Sequence, residues 1–333
     1  MTRVKPAAGL SGLTIVALAS VVVALAAGSV HVPLSELLPA LFDADASRAD
    51  IVRGLRLPRA LAGFAVGAAL ALSGALLQAL LRNPLADPYV LGISGGAAVA
   101  ALLALAAGLS AGAVQGAAVL GALGTLALLF VLARRALYAS DHAAGEPAAG
   151  SVLLTGVMLA SFSAALMSMM LSLAPDGRLR TMVFWLLGDL SGATGLRPAL
   201  WSLAILALLY PVAQSDARAL GLMLRGDLQA YTQGVQVAAT RRRLIVVAAI
   251  ATASAVTLGG TVGFVGFVAP HLVRMLIGYD QRVVLPASML LGGTLVVVAD
   301  TIARSAFAPL QLPVGVLTAL IGVPVFLWLL GRR

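Results

Sequence analysis

Cysteine is absent from the 333 residues, which excludes disulfides, thiolate metal sites and thiol chemistry. Lysine occurs once, at Lys5. It follows no glycine-rich turn, so the chain has no Walker A loop, and any ATP that drives it is bound elsewhere. Charged residues make up 11% of the chain, against about 25% in an ordinary soluble domain. No HExxH pattern or carboxylate–histidine cluster occurs, which argues against a bound metal. Aromatic residues are only 5%, and basic patches interleaved with aromatics are missing. The net charge of +9 therefore does not point to nucleic acid; arginine here marks the ends of membrane spans.

What fills the chain is alanine, leucine, valine and glycine, with 61% hydrophobic residues overall. Small apolar residues in such excess belong to polytopic helix bundles, whose helices approach closely. Charge-free runs of about 20 residues match the bilayer core. They predict an all-α membrane protein of about ten helices, with spans near 10–30, 59–81, two within 90–133 split near 108–115, then 152–173, 198–212, 244–262, 268–277, 283–299 and 314–330. The first run is longer than a signal-peptide core and is read as a retained helix. Residues 31–55 form an external loop, and 178–189 a partly re-entrant surface helix. The amphiphilic segment 215–243 lies along a surface, with Leu220, Met223, Leu224 and Leu228 at helical spacing. With ten spans the two termini share a side, which carries 14 of the 22 basic residues. The positive-inside rule makes that side cytoplasmic. A faint inverted repeat, about 56–173 and 241–330, pairs two glycine- and proline-broken segments within one transmembrane domain spanning 1–333. Such pairing points to a transport pathway.

The stretch RLPRALAGFAVGAALALSGALLQALLRNPLADPYVLGISGGA from Arg56, with GFVGFVAPHLVR at 263–274 and ADTIAR…LPVGVLTALIGVPVFLWLL toward the end, resembles the FecCD-type permeases. These BtuC-like (type II) membrane subunits serve ABC importers of ferric siderophores, haem and vitamin B12. The resemblance implies a homodimer in the bacterial inner membrane. Two ATP-binding cassette subunits, which hold the ATP-Mg, and a periplasmic or lipid-anchored substrate-binding protein would join it. It also implies roles for particular residues. Arg56, Arg59 and Arg304 would meet glutamates of the binding protein; interfacial snorkelling is the plainer reading. Leu220, Gly221, Leu224, Gly226 and Asp227 would lie in the coupling segment that the ATPase grips, where a plain membrane-surface helix is the alternative. Asn83, Pro84 and Leu85, with Ala149, Gly150 and Ser151, would form the cytoplasmic gate, beyond their plain role as a turn and a helix start. Ser161, Ser163, Met167, Met170 and Thr318 would line the pathway.

Arg178 and Arg180 lie where haem permeases tend to carry an arginine for a propionate, although the adjoining TMVFWLLGDLSGA resembles siderophore and cobalamin members at least as closely; a ferric siderophore is the expected cargo, with haem or cobalamin as alternatives. Asp300 and Arg304, four apart, pair on one helix face. Two other function classes have signals. An ion-coupled secondary transporter needs an acid near mid-membrane, and the spans are almost free of acids. A serine intramembrane protease would use Ser94 of GISGG with His271 as its base. A nucleophile elbow needs a strand before the serine, which an all-helical chain lacks. His271, after Pro270, reads as a capping or packing residue. The chain is expected to be a transport subunit with no catalytic residue of its own.

Overall fold

The computed structural model describes every residue except 1–4, 29, 44, 138–145, 194, 307–309 and 332–333. The basic residues Arg3, Arg332 and Arg333, and Asp141 and His142 of the polar loop, lie outside the described residues. Fifteen α-helices follow one another: α1 Pro6–Ala26, α2 Leu34–Phe42, α3 Leu57–Leu80, α4 Ile93–Ala106, α5 Ala111–Leu132, α6 Arg134–Leu137, α7 Glu146–Ser172, α8 Asp176–Leu186, α9 Leu196–Ser215, α10 Ala217–Met223, α11 Asp227–Thr232, α12 Val237–Gly259, α13 Val265–Leu276, α14 Gln281–Ser305 and α15 Val314–Leu330. Among the described residues seven helices are long and apolar enough to cross a membrane. Three shorter apolar ones, α4, α13 and the start of α15, bring the bundle to the expected ten.

The bundle is built around α3. Every residue from Ala65 to Leu80 of this helix is buried, and a helix apolar on all faces belongs in an interior. Its glycines make that possible. A Cβ added at Gly67 would stand 2.1 Å from the Gly292 carbonyl oxygen of α14, and one at Gly74 only 1.8 Å from that of Gly266 in α13. Contact is thus backbone to backbone, as small residues permit. Ser73 and Thr252 share a hydrogen bond of 2.8 Å between α3 and α12, which satisfies two hydroxyls with no water at hand.

Helix α3 stops where Asn83-Pro84 must stop it, since proline removes a donor and restricts the residue before it. Arg82 takes a left-handed φ of 48° there. The Asp87 carboxylate then accepts the Tyr89 N–H at 2.9 Å and caps a single turn, Pro88–Leu91. The second break, from Gly260 (φ 68°) to Phe264 (φ 67°), packs on the first. Tyr89 donates its hydroxyl to the Val262 carbonyl at 2.7 Å, and Pro88 fills the space over Gly266. The two interrupted segments therefore touch.

Two expectations change. Residues 31–55 are not a plain loop: they hold α2 and a π-helical turn, Asp50–Arg56, that runs without a break into α3. The amphiphilic segment is also shorter than 215–243. Helix α12 begins at Val237, so Arg241, Arg242 and Arg243 are inside it. Arginine is a good helix former, and two aspartates, described next, neutralise Arg241 and Arg243.

Candidate functional site

Helix α3 has charged clusters at both ends, about 36 Å apart at ~1.5 Å per residue. At its start, Arg56 is 5% exposed. Its guanidinium donates to the carbonyls of Leu25 at 2.7 Å and Ala26 at 2.9 Å, and to Val30. Arg304 donates to the Ala24 carbonyl. Both arginines therefore cap the C-terminus of α1, where helical carbonyls lack partners and the dipole favours cations. Arg59 makes the ion pair. Its Nε donates to both Asp300 oxygens at 2.9 and 3.0 Å, and its Nη1 to Gln311 Oε1 at 2.8 Å. Arg304, the expected partner of Asp300, stands farther off at 3.5 Å, with its Nε lacking a hydrogen bond. The three arginines surround a cavity of about 390 Å³ that Ser191 and Gln311 also line. Nearby, Arg53 is exposed, and Arg48 pairs with Glu36 at 3.0 Å.

At the far end of α3 two aspartates hold three arginines. Asp227, at the start of α11, accepts from Arg82 and Arg241, each at 2.5 Å. Arg82 also donates to the Met223 carbonyl at 3.0 Å. Asp216, just before α10, holds Arg243 in a two-bond fork at 2.6 and 2.5 Å. The short helices are thereby fastened to α3 and α12. Of the residues expected to couple, Leu220 and Asp227 are buried, while Gly221, Leu224 and Gly226 are half-buried. The apolar face formed by Leu220 and Met223 is covered by the chain itself. The apolar side chain that stands out is Leu228, 78% exposed. Sequence reasoning missed Arg82 and Arg241 as partners of Asp227; an acid alone in a basic segment was the available signal.

The gate residues lie beside this cluster on one side only. Asn83 Oδ1 accepts the Leu85 N–H at 2.9 Å, a local turn that leaves Pro84 and Leu85 exposed. Gly150 and Ser151, in the first turns of α7, are exposed as well, and nothing lies within 4 Å of a Cβ built at Gly150. The Ala149 side chain lies outside the described residues. Of the residues expected to line a pathway, Ser161 is exposed, and Met167 and Met170 are half-buried on α7. Two need correction. Ser163 is buried against Gly95 of α4, and Thr318 is fully buried, its hydroxyl donating to the Gly315 carbonyl at 3.0 Å. The Thr318 hydroxyl is satisfied by its own helix and so packs inward without an unpaired group.

Arg178 and Arg180 separate in role. Arg178 donates to the Ala106 carbonyl, capping α4. Arg180 lies 5.4 Å from the Phe184 ring centroid, at a cavity of about 460 Å³ shared with Trp185 and Asp189. Ser94 is in the first turn of α4, after a 3₁₀ turn rather than a strand, and is buried. His271 lines a different cavity, with Gln78, Arg82 and Arg274. Among the described residues no group of three histidine or acidic side chains is placed to hold a metal.

The chain is similar to known transport proteins. The chain is 39% identical over 290 residues to the cobalamin import system permease protein BtuC of Halobacterium salinarum, covering 85% of this chain and 74% of that one. It is 38% identical over 287 residues to the vitamin B12 import system permease protein BtuC of Vibrio cholerae, covering 85% and 83%. Identity to the hemin transport system permease protein HmuU of Yersinia pestis is 36% over 290 residues, covering 84% and 82%. A solved structure described as an inward-facing conformation of a metal-chelate type ABC transporter superposes with a TM-score of 0.83 at 30% identity, covering 99% of this chain and all of that one. The model of the FecCD transport family matches residues 15–332, and this multi-pass membrane chain belongs to that family.

Proposed function

We propose that this permease is the membrane subunit of an importer that moves a metal chelate across the cytoplasmic membrane, with ATP hydrolysed by a partner. The observation that carries this reading is the unequal pairing of arginines at the two ends within a family of import permeases. At the arginine end, Arg59 and Arg304 are disposed around an open cavity, which suits the carboxylates of a soluble binding protein. At the other end, α10 and α11 present Leu228, Arg225 and Gln229 outward, a patch that suits the cleft of an ATP-binding cassette subunit. Two copies of the chain would assemble through α7, whose outward stripe of Leu154, Met158, Phe162 and Met169 is apolar and helically spaced. Asn83–Leu85 and the start of α7 would then narrow the cytoplasmic mouth. Both termini face the cytoplasm in this arrangement.

Among chelates, the relatives above are named for cobalamin and haem. Their names support a tetrapyrrole-type cargo over the ferric siderophore expected from the sequence. Arg180 is the cation placed to meet an acidic edge of such a cargo.

The test is reconstitution in liposomes with the ATPase subunit and binding protein encoded beside it. Uptake of labelled cobalamin or haem is expected only with ATP and all three components. Uptake by the permease alone on an ion gradient overturns the proposal in favour of a secondary transporter. The chain lacks cysteine, so Leu228→Cys supplies a unique thiol. It is expected to crosslink to the ATPase subunit, and failure to do so in the assembled transporter removes the α10–α11 docking.

A further inference from the structure

Between α5, α9 and α12 runs a groove of about 370 Å³ whose lining is almost wholly apolar. Its polar members are not scattered. Gln115 lies one turn into α5, Arg197 is the second residue of α9, and Thr257 is in the last turn of α12. All three are at the arginine end of the bundle. Among the described residues Arg197 and Gln115 have no hydrogen-bond or ion-pair partner, and the buried Thr257 hydroxyl is unsatisfied as well. A helical threonine ordinarily bonds the carbonyl four residues back, so this one is left for something else. Deeper in, the walls are Leu123, Leu126, Ile205 and Ile250. The two hydroxyls there, Ser202 and Ser254, satisfy each other at 2.8 Å.

The groove is thus polar at one end and dry along the rest. From Gln115 to Leu126 it descends about 16 Å at ~1.5 Å per residue, which is half of a hydrocarbon core of about 30 Å. No acid lines it. The nearest, Asp189 in the adjoining cavity, is already engaged by the Ser191 N–H at 2.7 Å and the Ser191 hydroxyl at 2.5 Å. A cation of a zwitterionic headgroup therefore finds no counter-charge, whereas a phosphate finds Arg197.

We propose that this groove is a binding site for one anionic glycerophospholipid of the leaflet at the arginine end. Its phosphate is held by Arg197, its ester oxygens by Gln115 and Thr257, and one acyl chain lies between α5 and α12. The site rests on the membrane fold alone and not on the identity of cargo or partners. Trp201, 71% exposed on the groove's rim, flanks the glycerol region as interfacial tryptophans do.

Native mass spectrometry of the full chain, stripped of lipid in neutral detergent and titrated with phosphatidylglycerol or phosphatidylcholine of matched acyl chains, tests it. The wild type is expected to bind one phosphatidylglycerol about tenfold more tightly than phosphatidylcholine. Arg197→Gln abolishes that preference. Arg197 is exposed, and its loss from a helix N-terminus does not harm the dipole. Ala253→Phe, which fills the groove and leaves Arg197 intact, is expected to weaken both lipids. Equal affinity of the wild type for the two lipids overturns the site, and so does a preference that survives Arg197→Gln. Should Ala253→Phe fail to fold, the Arg197→Gln titration decides alone.

Discussion

At one end of α3 three arginines stand around a single carboxylate, Asp300, which pairs with Arg59 and Arg304; at the other, two arginines converge on one carboxylate, Asp227. The surplus cations of the first end are held by main-chain carbonyls of α1. A carbonyl carries no net charge, so it is a weaker acceptor than a carboxylate. Arg56 can exchange its caps for a better acceptor without first breaking an ion pair. At the second end Arg82, Arg241 and Arg243 already have carboxylates, and exchange would leave a buried charge uncompensated. One end is therefore suited to receiving a partner, and the other to staying fastened while it is pushed.

The largest expected effect tests the fastened end. Asp227→Asn keeps the side chain's shape but removes the charge between Arg82 and Arg241, leaving Arg241 (3% exposed) unpaired. Removing one partner of a buried pair costs about 4 kcal/mol. Thermal unfolding in detergent is expected to show a loss of that order, with hydrogen exchange rising across α10 and α11. A loss below about 1 kcal/mol breaks the contrast, because both ends would then be loosely held.

Next comes the arginine end. Arg56→Ala strips the carbonyls of Leu25 and Val30 of their donor, at about 3 kcal/mol for hydrogen bonds from a charged group. The loss is expected to be local: faster exchange at residues 24–30, with the core of α3 and α14 unchanged. A global loss as large as that of Asp227→Asn would mean that Arg56 is no exchangeable cap.

Most of the bundle was legible before any coordinates. Ten apolar runs became ten helices because charge-free stretches of bilayer length have few other folds, and span 314–330 matches α15 residue for residue. The break at Asn83-Pro84 was readable from proline, whereas glycine and proline put the second at 263–270 and it lies at Gly260–Phe264, with Pro270 inside α13. What the chain did not disclose is pairing across distance. Asp300 was matched to Arg304, four residues away, when its better partner is Arg59, 241 residues away. Likewise Arg241 and Arg243 read as the end of the surface segment, since nothing local shows that Asp227 and Asp216 neutralise them inside α12. Burial misled in the same way: a helical stripe such as Leu220–Met223 shows which face is apolar but not what covers it.

The smallest effect concerns the acid at the fastened end that lacks a cation. Asp87 lies in the connection between α3 and α4, outside the spans, and makes no ion pair among the described residues. Burial pushes its carboxyl up to about 6, against a smaller opposing pull from the Tyr89 N–H. The sign follows from the two protonation states. A carboxyl with a raised folded-state pKa binds its proton more tightly when folded, so its contribution is most favourable below about pH 4. It is lost as pH rises through 6. Asp87→Asn keeps an oxygen for the Tyr89 N–H and cannot ionise. It is expected to leave stability unchanged at pH 4 and to raise it by on the order of 2 kcal/mol at pH 7.5. Unfolding midpoints of both proteins across that range check this. If the variant is destabilised equally at both pH values, Asp87 has a cationic partner after all, as Asp216 and Asp227 do.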